Sequence, residues 1–531
     1  MDFKIIAEKN INGSEKLIKN AETEKSSFKY DPCEVLSGGY VVIDFGEELS
    51  GNLNVTFGKN DGGTVRIRLG ESAYEACAEI GEKNAGNDHS LRDNFYRAIT
   101  CGEISTSESG FRFARIDNVG TSTVKISRIY AVEYDNGYKK KGYFLCDDER
   151  LNKIYSAAEK TIGLCVRKDD LWDGVKRDRA MWIGDFYPEL TAAFYVYGVI
   201  PQFERVLTEG APDDKSWVNK IPSYSAWWII CLEKYYRLSG RKSFVKGLLD
   251  KVDFAVKSFS SIIKENGEVD YSECKLEYYQ DNEFFFDWPT NLTEDSKYGW
   301  RYVVACAMKK AAELYSLFGK DATLAENVLD RLKKYRYADS EFAQVTAFGV
   351  LSGFTDKEKG AETLGKDEAK MTCFMSFAIV DALIKVGKGN LAADVIKNYY
   401  GAMLDLGATT FWEDFDVSCL KDDPLPLTAL PDGKRKNVHA DYGKYCYKGL
   451  RCSLCHGWST GFTDFFYTYV LGVIPTKAGY KQIKIEPHLC GLNYAEGAIP
   501  TKYGIIKIKH SIRNGKTETV MEIPKKIDVE K

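Results

Sequence analysis

The sequence predicts a multidomain protein in which a long helical region lies between two β-sheet regions. Three observations lead to this prediction: short alternating apolar runs over residues 40–135, helical periodicity from about residue 148 to Leu471, and renewed alternation after Pro475. A chain of 531 residues is also too long for a single hydrophobic core, because a domain usually contains roughly 100–200 residues. We therefore expect domains at residues 1–140, 141–473 and 474–531.

The first region has the pattern of a β-sandwich. Glycine, asparagine and aspartate separate its short runs, as expected for strands joined by turns, and many short strands at this spacing are typical of two stacked sheets. The clearest runs are Tyr40–Phe45, Leu53–Phe57, Val65–Leu69 and Val124–Tyr130.

The central region predicts roughly a dozen helices, because apolar residues recur at i, i+3, i+4 and i+7. All nine tryptophans, from Trp172 to Trp458, lie here, and several adjoin a carboxylate. Carboxylates beside flat aromatic rings are typical of a carbohydrate-binding cleft. The alternative is that these tryptophans are simply packed in the helical core. The helical stretches are Leu151–Val166, Ala226–Leu238, Phe244–Ile263, Tyr302–Leu317, Phe374–Val386 and Ala392–Leu406.

The last region predicts a second, smaller β unit, with lysines that protect its edge strands. Its alternating runs are Gln482–Glu486, Ile505–Lys509 and Thr519–Ile523.

Composition describes an ordinary globular protein with a net charge of −4. Such a charge attracts neither nucleic acid nor an anionic membrane, so a small or neutral partner is expected. No signal peptide or transmembrane segment is visible, and 14 cysteines without a framework suit reduced thiols. We expect a cytoplasmic protein and leave a homodimer open.

The most informative segment is Asp173-Gly-Val-Lys-Arg-Asp178-Arg-Ala-Met-Trp182-Ile-Gly-Asp185, which places three carboxylates, three cations and a tryptophan within thirteen residues. Glycoside cleavage uses paired acids, and an indole suits the apolar face of a sugar. A helix from Asp178 onward would put Trp182 and Asp185 on one face. The alternative is an amphipathic helix with a solvated face.

A second acidic motif is Gly407-Ala-Thr-Thr-Phe-Trp-Glu413, in which a helix is expected to end and the following loop to place Glu413 at the floor of a pocket. It supplies the opposed carboxylate that glycoside cleavage requires. The alternative is a polar loop end.

The sequence Cys452-Ser-Leu-Cys455-His456 matches the spacing of c-type haem attachment. Haem and zinc are kept as alternatives, although haem attachment would need export and a zinc site would need a second ligand pair. The remaining histidines have no metal-ligand spacing and are predicted to be surface or packing residues. They are His89, His439, His488 and His510.

With these motifs in order, the chain resembles the inverting α-L-rhamnosidases, six-hairpin glycoside hydrolases with an (α/α)6 barrel flanked by β-sandwich domains. The resemblance covers nearly the whole length. It implies the barrel over 141–473, between an N-terminal and a small C-terminal β-sandwich. The motifs that carry it are Val42–Gly46, Arg66–Glu71, Phe111–Ile116, Asp173–Asp185, Gly407–Glu413, His456 with the following Gly-Trp-Ser-Thr-Gly, Lys484–Leu489 and Ala498–Gly504.

The resemblance also implies roles. Glu413 is then the general base that activates water, and Asp178, seven residues before Asp185, is the general acid. The residues that it implies for sugar binding are Asp173, Arg177, Trp182, Asp185, Trp288 and His456. It implies no metal and no cofactor.

One departure concerns the acid. The commoner loop of the family is one residue longer and carries Asp-Glu where this chain has only Asp178 before Arg179. Asp173 therefore remains a substitute for Asp178, and the identity of the sugar stays open. The alternatives are a six-hairpin enzyme for another sugar, a lyase of similar barrel, and a carbohydrate-binding homologue without catalysis.

The expected mechanism is inversion. A carboxylic acid with a raised pKa protonates the glycosidic oxygen while the base takes a proton from water on the opposite face of the sugar. Water must fit between sugar and base, so the two carboxyls are expected roughly 6.5–9.5 Å apart.

Overall fold

The computed structural model describes residues 3–21, 31–364, 371–443 and 445–530. The chain forms two compact units, and each is assembled from three stretches of sequence. Unit 1 comprises Met1–Asn136, Gly174–Arg179 and Met403–His456, and unit 2 comprises Gly137–Asp173, Ala180–Ala402 and Gly457–Lys531.

Unit 1 contains a seven-stranded sheet. Its main path runs β1-β2-β6-β3-β4, and β5 and β7 both pair with β2. The strands are β1 (Lys4–Asn12), β2 (Cys33–Phe57), β3 (Thr64–Gly70), β4 (Asp93–Arg97), β5 (Glu103–Ser105), β6 (Ser109–Asn118) and β7 (Val124–Glu133). The short helices are α1 (Glu15–Ala21) and α2 (Ala73–Cys77).

Period-2 alternation explains the core of this sheet. Val41, Ile43 and Phe45 of β2 are buried in one apolar cluster with Ile67 of β3 and Phe111 of β6. The four predicted runs all lie in strands, and two of them belong to the single long strand β2. The register between β2 and β6 shifts after Asp44, where Gly46 has a φ of 84°.

Helices dominate unit 2. They are α3 (Glu149–Cys165), α4 (Ile183–Tyr197), α5 (Pro201–Glu209), α6 (Pro222–Ser239), α7 (Lys242–Lys246), α8 (Leu249–Ile262), α9 (Glu294–Phe318), α10 (Thr323–Lys333), α11 (Ala343–Ser352), α12 (Lys357–Leu364), α13 (Ser376–Lys385) and α14 (Gly389–Asp405), whose last turn is counted with unit 1. All six predicted helical stretches are helical, and the stretch from Phe244 to Ile263 divides at Gly247 into α7 and α8.

Local signals set the ends of these helices. The Asp148 carboxylate accepts a hydrogen bond from the Leu151 N–H at 3.0 Å and begins α3, and Thr293 caps α9 in the same way. Gly240 and Gly319 end α6 and α9 with φ of 62° and 67°, a left-handed conformation that glycine adopts without steric cost.

Two small sheets complete unit 2. A four-stranded sheet has the order β13-β12-β11-β8, and a three-stranded sheet has the order β14-β10-β9. The strands are β8 (Tyr143–Cys146), β9 (Val473–Lys477), β10 (Gln482–Ile485), β11 (Tyr494–Thr501), β12 (Gly504–Arg513), β13 (Lys516–Glu522) and β14 (Asp528–Val529). The predicted C-terminal strands are therefore present, and β8, from before the helices, pairs with β11.

The described parts of the chain contain no helix that combines the length and the apolar character needed to cross a bilayer.

Candidate active site

The acidic segment around Asp178 is a loop, so the prediction of a helix from Asp178 onward is wrong. Asp178 and Arg179 have φ of 56° and 55°, a left-handed conformation that interrupts a helix and that aspartate tolerates better than most residues. Helix α4 begins only at Ile183. Trp182 and Asp185 are therefore not on a common helical face with Asp178.

Arg177 contacts three other residues of the candidate site in unit 1. Its Nη2 donates to Oε1 of Glu413, and its Nη1 lies 3.0 Å from Oδ1 of Asp178. The ring of Tyr447 stacks on the guanidinium at 3.7 Å. One buried guanidinium therefore contacts both carboxylates to which the family resemblance assigns catalysis.

Glu413 is buried, with 3% of its surface exposed. Its Oε2 accepts a hydrogen bond from the Ser453 N–H at 3.0 Å, and its own N–H donates to the Ser453 carbonyl at 2.9 Å. The Cys446 thiol donates to Oε1 at 3.1 Å. Burial opposes ionisation, but the charge and hydrogen bond of Arg177 outweigh it, so the pKa of Glu413 is lowered. The side chain is an ionised carboxylate.

The N-terminal sheet holds the loop that carries Glu413. Helix α14 ends at Asp405 and the chain turns at Gly407, which has a φ of 95°. Arg112 of β6 makes two hydrogen bonds to Asp44, at 2.7 and 2.9 Å, and donates to the Gly407 carbonyl at 2.8 Å. As predicted, a helix ends and the following loop carries Glu413, which is buried; its place at the floor of a pocket stays a prediction.

His456 lies beside the same carboxylate. Nε2 of its ring is 3.8 Å from Oε1 of Glu413, and its backbone N–H donates a hydrogen bond to the Phe411 carbonyl at 2.9 Å. Burial lowers the pKa of His456 to about 3, so the imidazole is neutral. It directly precedes a 3₁₀ segment, Gly457–Thr463, rather than an α-helix.

The cysteines of the Cys-x-x-Cys-His motif are buried thiols. Burial raises the pKa of Cys452 well above its usual value, which disfavours the thiolate that haem attachment or zinc binding needs. Among the described residues, the group with metal-ligand atoms close together is instead Glu71, Glu75 and His439.

Asp178 is partly accessible, with 21% of its side chain exposed. Its Oδ1 lies 2.9 Å from Nδ1 of His89, and its backbone N–H also contacts that nitrogen. The sequence assigned His89 to the surface or to packing. A single histidine without a spaced partner gives no signal that it will meet an acid 89 residues away.

Asp173 and Asp185 belong to unit 2 and are both buried. Oδ1 of Asp173 accepts a hydrogen bond from the Ala180 N–H at 3.1 Å, and the Asp173 N–H donates to the Ala180 carbonyl at 3.1 Å. Asp173 therefore closes the base of the loop. Asp185 lies in the first turn of α4, where the helix dipole favours a carboxylate.

Four aromatic side chains of unit 2 form a continuous row, which we call the aromatic row. Ring centroids lie 6.5 Å apart for Trp182 and Tyr224, 6.2 Å for Tyr224 and Phe285, and 5.3 Å for Phe285 and Trp288. Gly184 permits this packing, because an added Cβ would lie 2.6 Å from the Tyr224 ring. Trp288 is 36% exposed.

Glu189, one turn after Asp185 in α4, was missed by the sequence analysis. It is 2% exposed, and its Oε1 has no hydrogen-bond partner among the described residues. Gly457 leaves room for this carboxyl, since a Cβ there would collide with it. Burial and the charge of Asp185 raise the pKa of Glu189 well above its usual value, so it is protonated.

The structure thus places the predicted site residues in two sets. Unit 1 brings Arg177, Asp178, Glu413 and His456 into contact. We call these four, with Tyr447, the charged cluster. Unit 2 holds the other four, namely Asp173, Trp182, Asp185 and Trp288.

Comparison with known proteins supports the motif-based resemblance. Residues 472–530 match the bacterial α-L-rhamnosidase C-terminal domain. An α-L-rhamnosidase of Formosa agariphila is 22% identical over 548 residues, which cover 93% of this chain and 55% of that protein. The chain therefore spans about half the length of this curated relative.

Solved structures give the same result for the fold. The GH78 family rhamnosidase of Bacillus sp. GL1 superposes with a TM-score of 0.74 at 21% identity, over 97% of this chain and 55% of that one. The rhamnosidase of Klebsiella oxytoca, solved with rhamnose bound, superposes with a TM-score of 0.67 at 19% identity, over 87% of this chain and 94% of that one. The chain therefore has the multidomain fold of these rhamnosidase structures, a helical core with β domains.

Proposed function

We propose that the protein is an inverting α-L-rhamnosidase that removes terminal α-L-rhamnosyl residues by general acid and general base catalysis. The observation that carries this proposal is the contact of one guanidinium, that of Arg177, with both Glu413 and Asp178. Glycoside hydrolysis needs one carboxylate as base and one as acid, and here the buried Glu413 is ionised while Asp178 is partly accessible.

Glu413 is the proposed base. A base must be ionised before it can take a proton from water, and the lowered pKa of Glu413 keeps it so. The Ser453 N–H fixes one carboxylate oxygen. The other oxygen is held by Cys446 and by Arg177, and the guanidinium of Arg177 also contacts Asp178.

Asp178 is the proposed acid. It has solvent access, as a group that must regain its proton in each cycle requires. Asp173, the substitute, is buried and accepts a hydrogen bond from its own loop. The hydrogen bond from the Ala180 N–H to this carboxylate favours a structural role for Asp173.

The proposal extends to the residues that bind the sugar. The residues proposed for this role are Asp173, Arg177, Trp182, Asp185, Trp288 and His456. The neutral imidazole of His456 can donate to or accept from a hydroxyl. The indole of Trp182 offers a face for the apolar side of the ring, and its Nε1 has no partner among the described residues.

We place this chemistry in an (α/α)6 six-hairpin domain at residues 141–473, between an N-terminal β-sandwich at 1–140 and a small C-terminal β-sandwich at 474–531. The proposed partner is a small-molecule or oligosaccharide glycoside rather than nucleic acid or a membrane. A cytoplasmic location completes the proposal, and the scattered cysteines support it.

The test is hydrolysis of an aryl α-L-rhamnoside, followed by proton NMR of the first sugar released. We expect turnover with rhamnose appearing as the anomer opposite to the substrate's, before mutarotation mixes the two. Turnover of a different aryl glycoside in a panel would move the assignment to another sugar. Binding of rhamnose without turnover would identify a carbohydrate-binding homologue.

A further inference from the structure

Lys176, next to Arg177, is a buried lysine that the proposed chemistry does not use. Its side chain is 10% exposed, and its Nζ lies 3.1 Å from a carboxylate oxygen of both Glu71 and Glu75. The same Nζ donates to the carbonyls of Leu450 and Cys452 at 2.8 Å each. The ammonium thus joins the N-terminal β region to the segment that precedes Ser453.

Glu71 continues this connection towards Glu413. It accepts hydrogen bonds from the Leu454 N–H at 2.6 Å and from the Ser453 hydroxyl at 3.2 Å. Ser453 in turn donates its backbone N–H to Glu413. Two short routes therefore lead from Lys176 to Glu413, one through Glu71 and Ser453 and one along the backbone to Arg177.

A metal ion is the competing explanation for this cluster, since Glu71, Glu75 and His439 all carry metal-ligand atoms. However, both ring nitrogens of His439 are already engaged, Nδ1 with the Ser72 hydroxyl at 2.8 Å and Nε2 with the Cys452 carbonyl at 3.0 Å. Lys176 already contacts both carboxylates. Its ammonium supplies the positive charge that a metal would otherwise bring.

We infer that Lys176 is a positioning residue: as an internal cation it fixes the Ser453 N–H and Arg177 against Glu413, and so sets the orientation and the ionised state of the base. This inference rests on the proposed role of Glu413. The charged and titratable groups that act on Lys176 are Glu48, Glu71, Glu75, His439 and Cys452. Those around Glu413 are Arg177, His456, Cys446, Tyr447 and Cys452.

The first test is Lys176→Met, assayed on an aryl α-L-rhamnoside. We expect kcat to fall roughly 10- to 100-fold, as for a misplaced catalytic group, with KM changed less than about threefold. We also expect the acid limb of the pH profile of kcat/KM to move to higher pH, because Glu413 loses stabilisation of its ionised form. An unmoved limb would overturn the inference, since a purely structural lysine would leave it in place.

Lys234→Met is the matched control. Lys234 is buried to a similar degree, with 12% of its side chain exposed, and pairs with Asp464 at 3.1 Å in unit 2. Its loss should lower the melting temperature without moving the acid limb. If Lys176→Met does not fold, Glu71→Gln takes its place; it should lower kcat with little change in KM, because it weakens the link to Ser453 and keeps the side-chain volume.

A charge-balanced double variant separates positioning from simple neutralisation. Glu75→Gln with Lys176→Met removes one charge of each sign, so the melting temperature should recover. The kcat should stay low, because the Leu450 and Cys452 carbonyls still lack their donor. Full recovery of kcat would overturn the inference, and so would a stoichiometric metal in the purified wild-type protein or loss of activity in EDTA.

A double-mutant cycle between Lys176→Met and Glu413→Gln distinguishes failure of the inference from failure of the proposed function. Urea midpoints require no activity, and coupled residues give non-additive shifts. Non-additive shifts in a protein without rhamnosidase activity would retain the positioning role and reject the function. Additive shifts would reject the positioning role.

Discussion

The charged cluster of unit 1 and the aromatic row of unit 2 are built in opposite ways. The charged cluster lies on loops, and its members come from residues as distant in sequence as Arg177 and Glu413. The aromatic row begins where a helix begins, at Trp182, and its rings are placed by packing, as Gly184 beneath Tyr224 illustrates. One region is organised by hydrogen bonds and charge, the other by shape.

This difference predicts which kinetic constant each region controls. A buried ion pair requires that both partners stay in place, since removing one leaves an uncompensated charge. A row of rings tolerates change more gradually, because its contribution follows contact area. We therefore expect substitutions in the charged cluster to lower kcat and substitutions in the aromatic row to raise KM.

The largest expected effect is that of Glu413→Gln. Glutamine keeps the shape and can still accept the Ser453 N–H, but it cannot take a proton from water, so kcat should fall roughly 10²- to 10⁴-fold. Circular dichroism and calorimetric rhamnose binding should remain close to wild type. The control is Asp416→Asn, because an asparagine can also cap the Ser418 N–H. An unchanged kcat in Glu413→Gln would remove Glu413 from the mechanism.

The next effect separates the two acid candidates. Asparagine tolerates the positive φ of residue 178, so Asp178→Asn removes the proton donor without breaking the loop. The loss of kcat/KM should be about 10² larger for an alkyl or flavonoid rhamnoside than for an aryl rhamnoside with a good leaving group, which needs little protonation. Equal losses on both substrates would assign Asp178 to sugar positioning and make Asp173→Asn the next variant.

A smaller effect is expected in the aromatic row. Removing the ring in Trp182→Ala costs about 1–1.5 kcal/mol of stacking, so KM should rise about 5- to 12-fold while kcat changes little. Tyr279→Ala, which removes a 52% exposed ring, is the control and should leave KM unchanged. A fall in kcat as large as that of Glu413→Gln would abolish the distinction between the two regions.

The last prediction concerns the pH dependence of folding stability rather than turnover. Burial lowers the pKa of His439 to about 4, so between pH 6.5 and 4 the unfolded chain binds a proton there that the folded chain does not. Stability should therefore fall with decreasing pH, by about 1.4 kcal/mol per pH unit from this residue. His456 contributes with the same sign. Glu71 contributes with the opposite sign, because burial raises its pKa to about 7.

His439→Gln isolates this contribution. Urea unfolding at pH 7.5, where the histidine is neutral in both states, gives the loss from packing alone. Between pH 6.5 and 4.5 the stability of the variant should fall less steeply than that of the wild type. Parallel curves would show that His439 is protonated inside the folded protein.

Sequence patterns predicted the strands and helices well because periodicity reports which face of an element is buried. The helical stretch from Leu151 to Val166, for example, coincides within two residues with α3. The segment after Asp178 was mispredicted for a physical reason. Its carboxylates and cations suit a helix by spacing, but Asp178 pairs with the distant His89, and residues 178 and 179 adopt a left-handed conformation that no helix allows.

The contacts missed in the site share one property. In each contact the two partners are far apart in the sequence. His89 contacts Asp178, and Tyr447 contacts Arg177. Ser453 contacts Glu413, and Lys176 contacts Glu71. No local pattern encodes such a meeting. Glu189 did carry a signal, its position one turn after Asp185, but only the buried surroundings show that it is protonated.

The pairing of β8 with β11 has a consequence for biosynthesis. The Asn493 N–H and the Asp147 carboxylate, next to these strands, are separated by 346 residues. At roughly 5–20 residues per second, a ribosome needs tens of seconds to make the intervening chain. During that interval the edge of β8 lacks its strand partner, so the nascent protein is exposed to aggregation and to chaperones until β11 emerges.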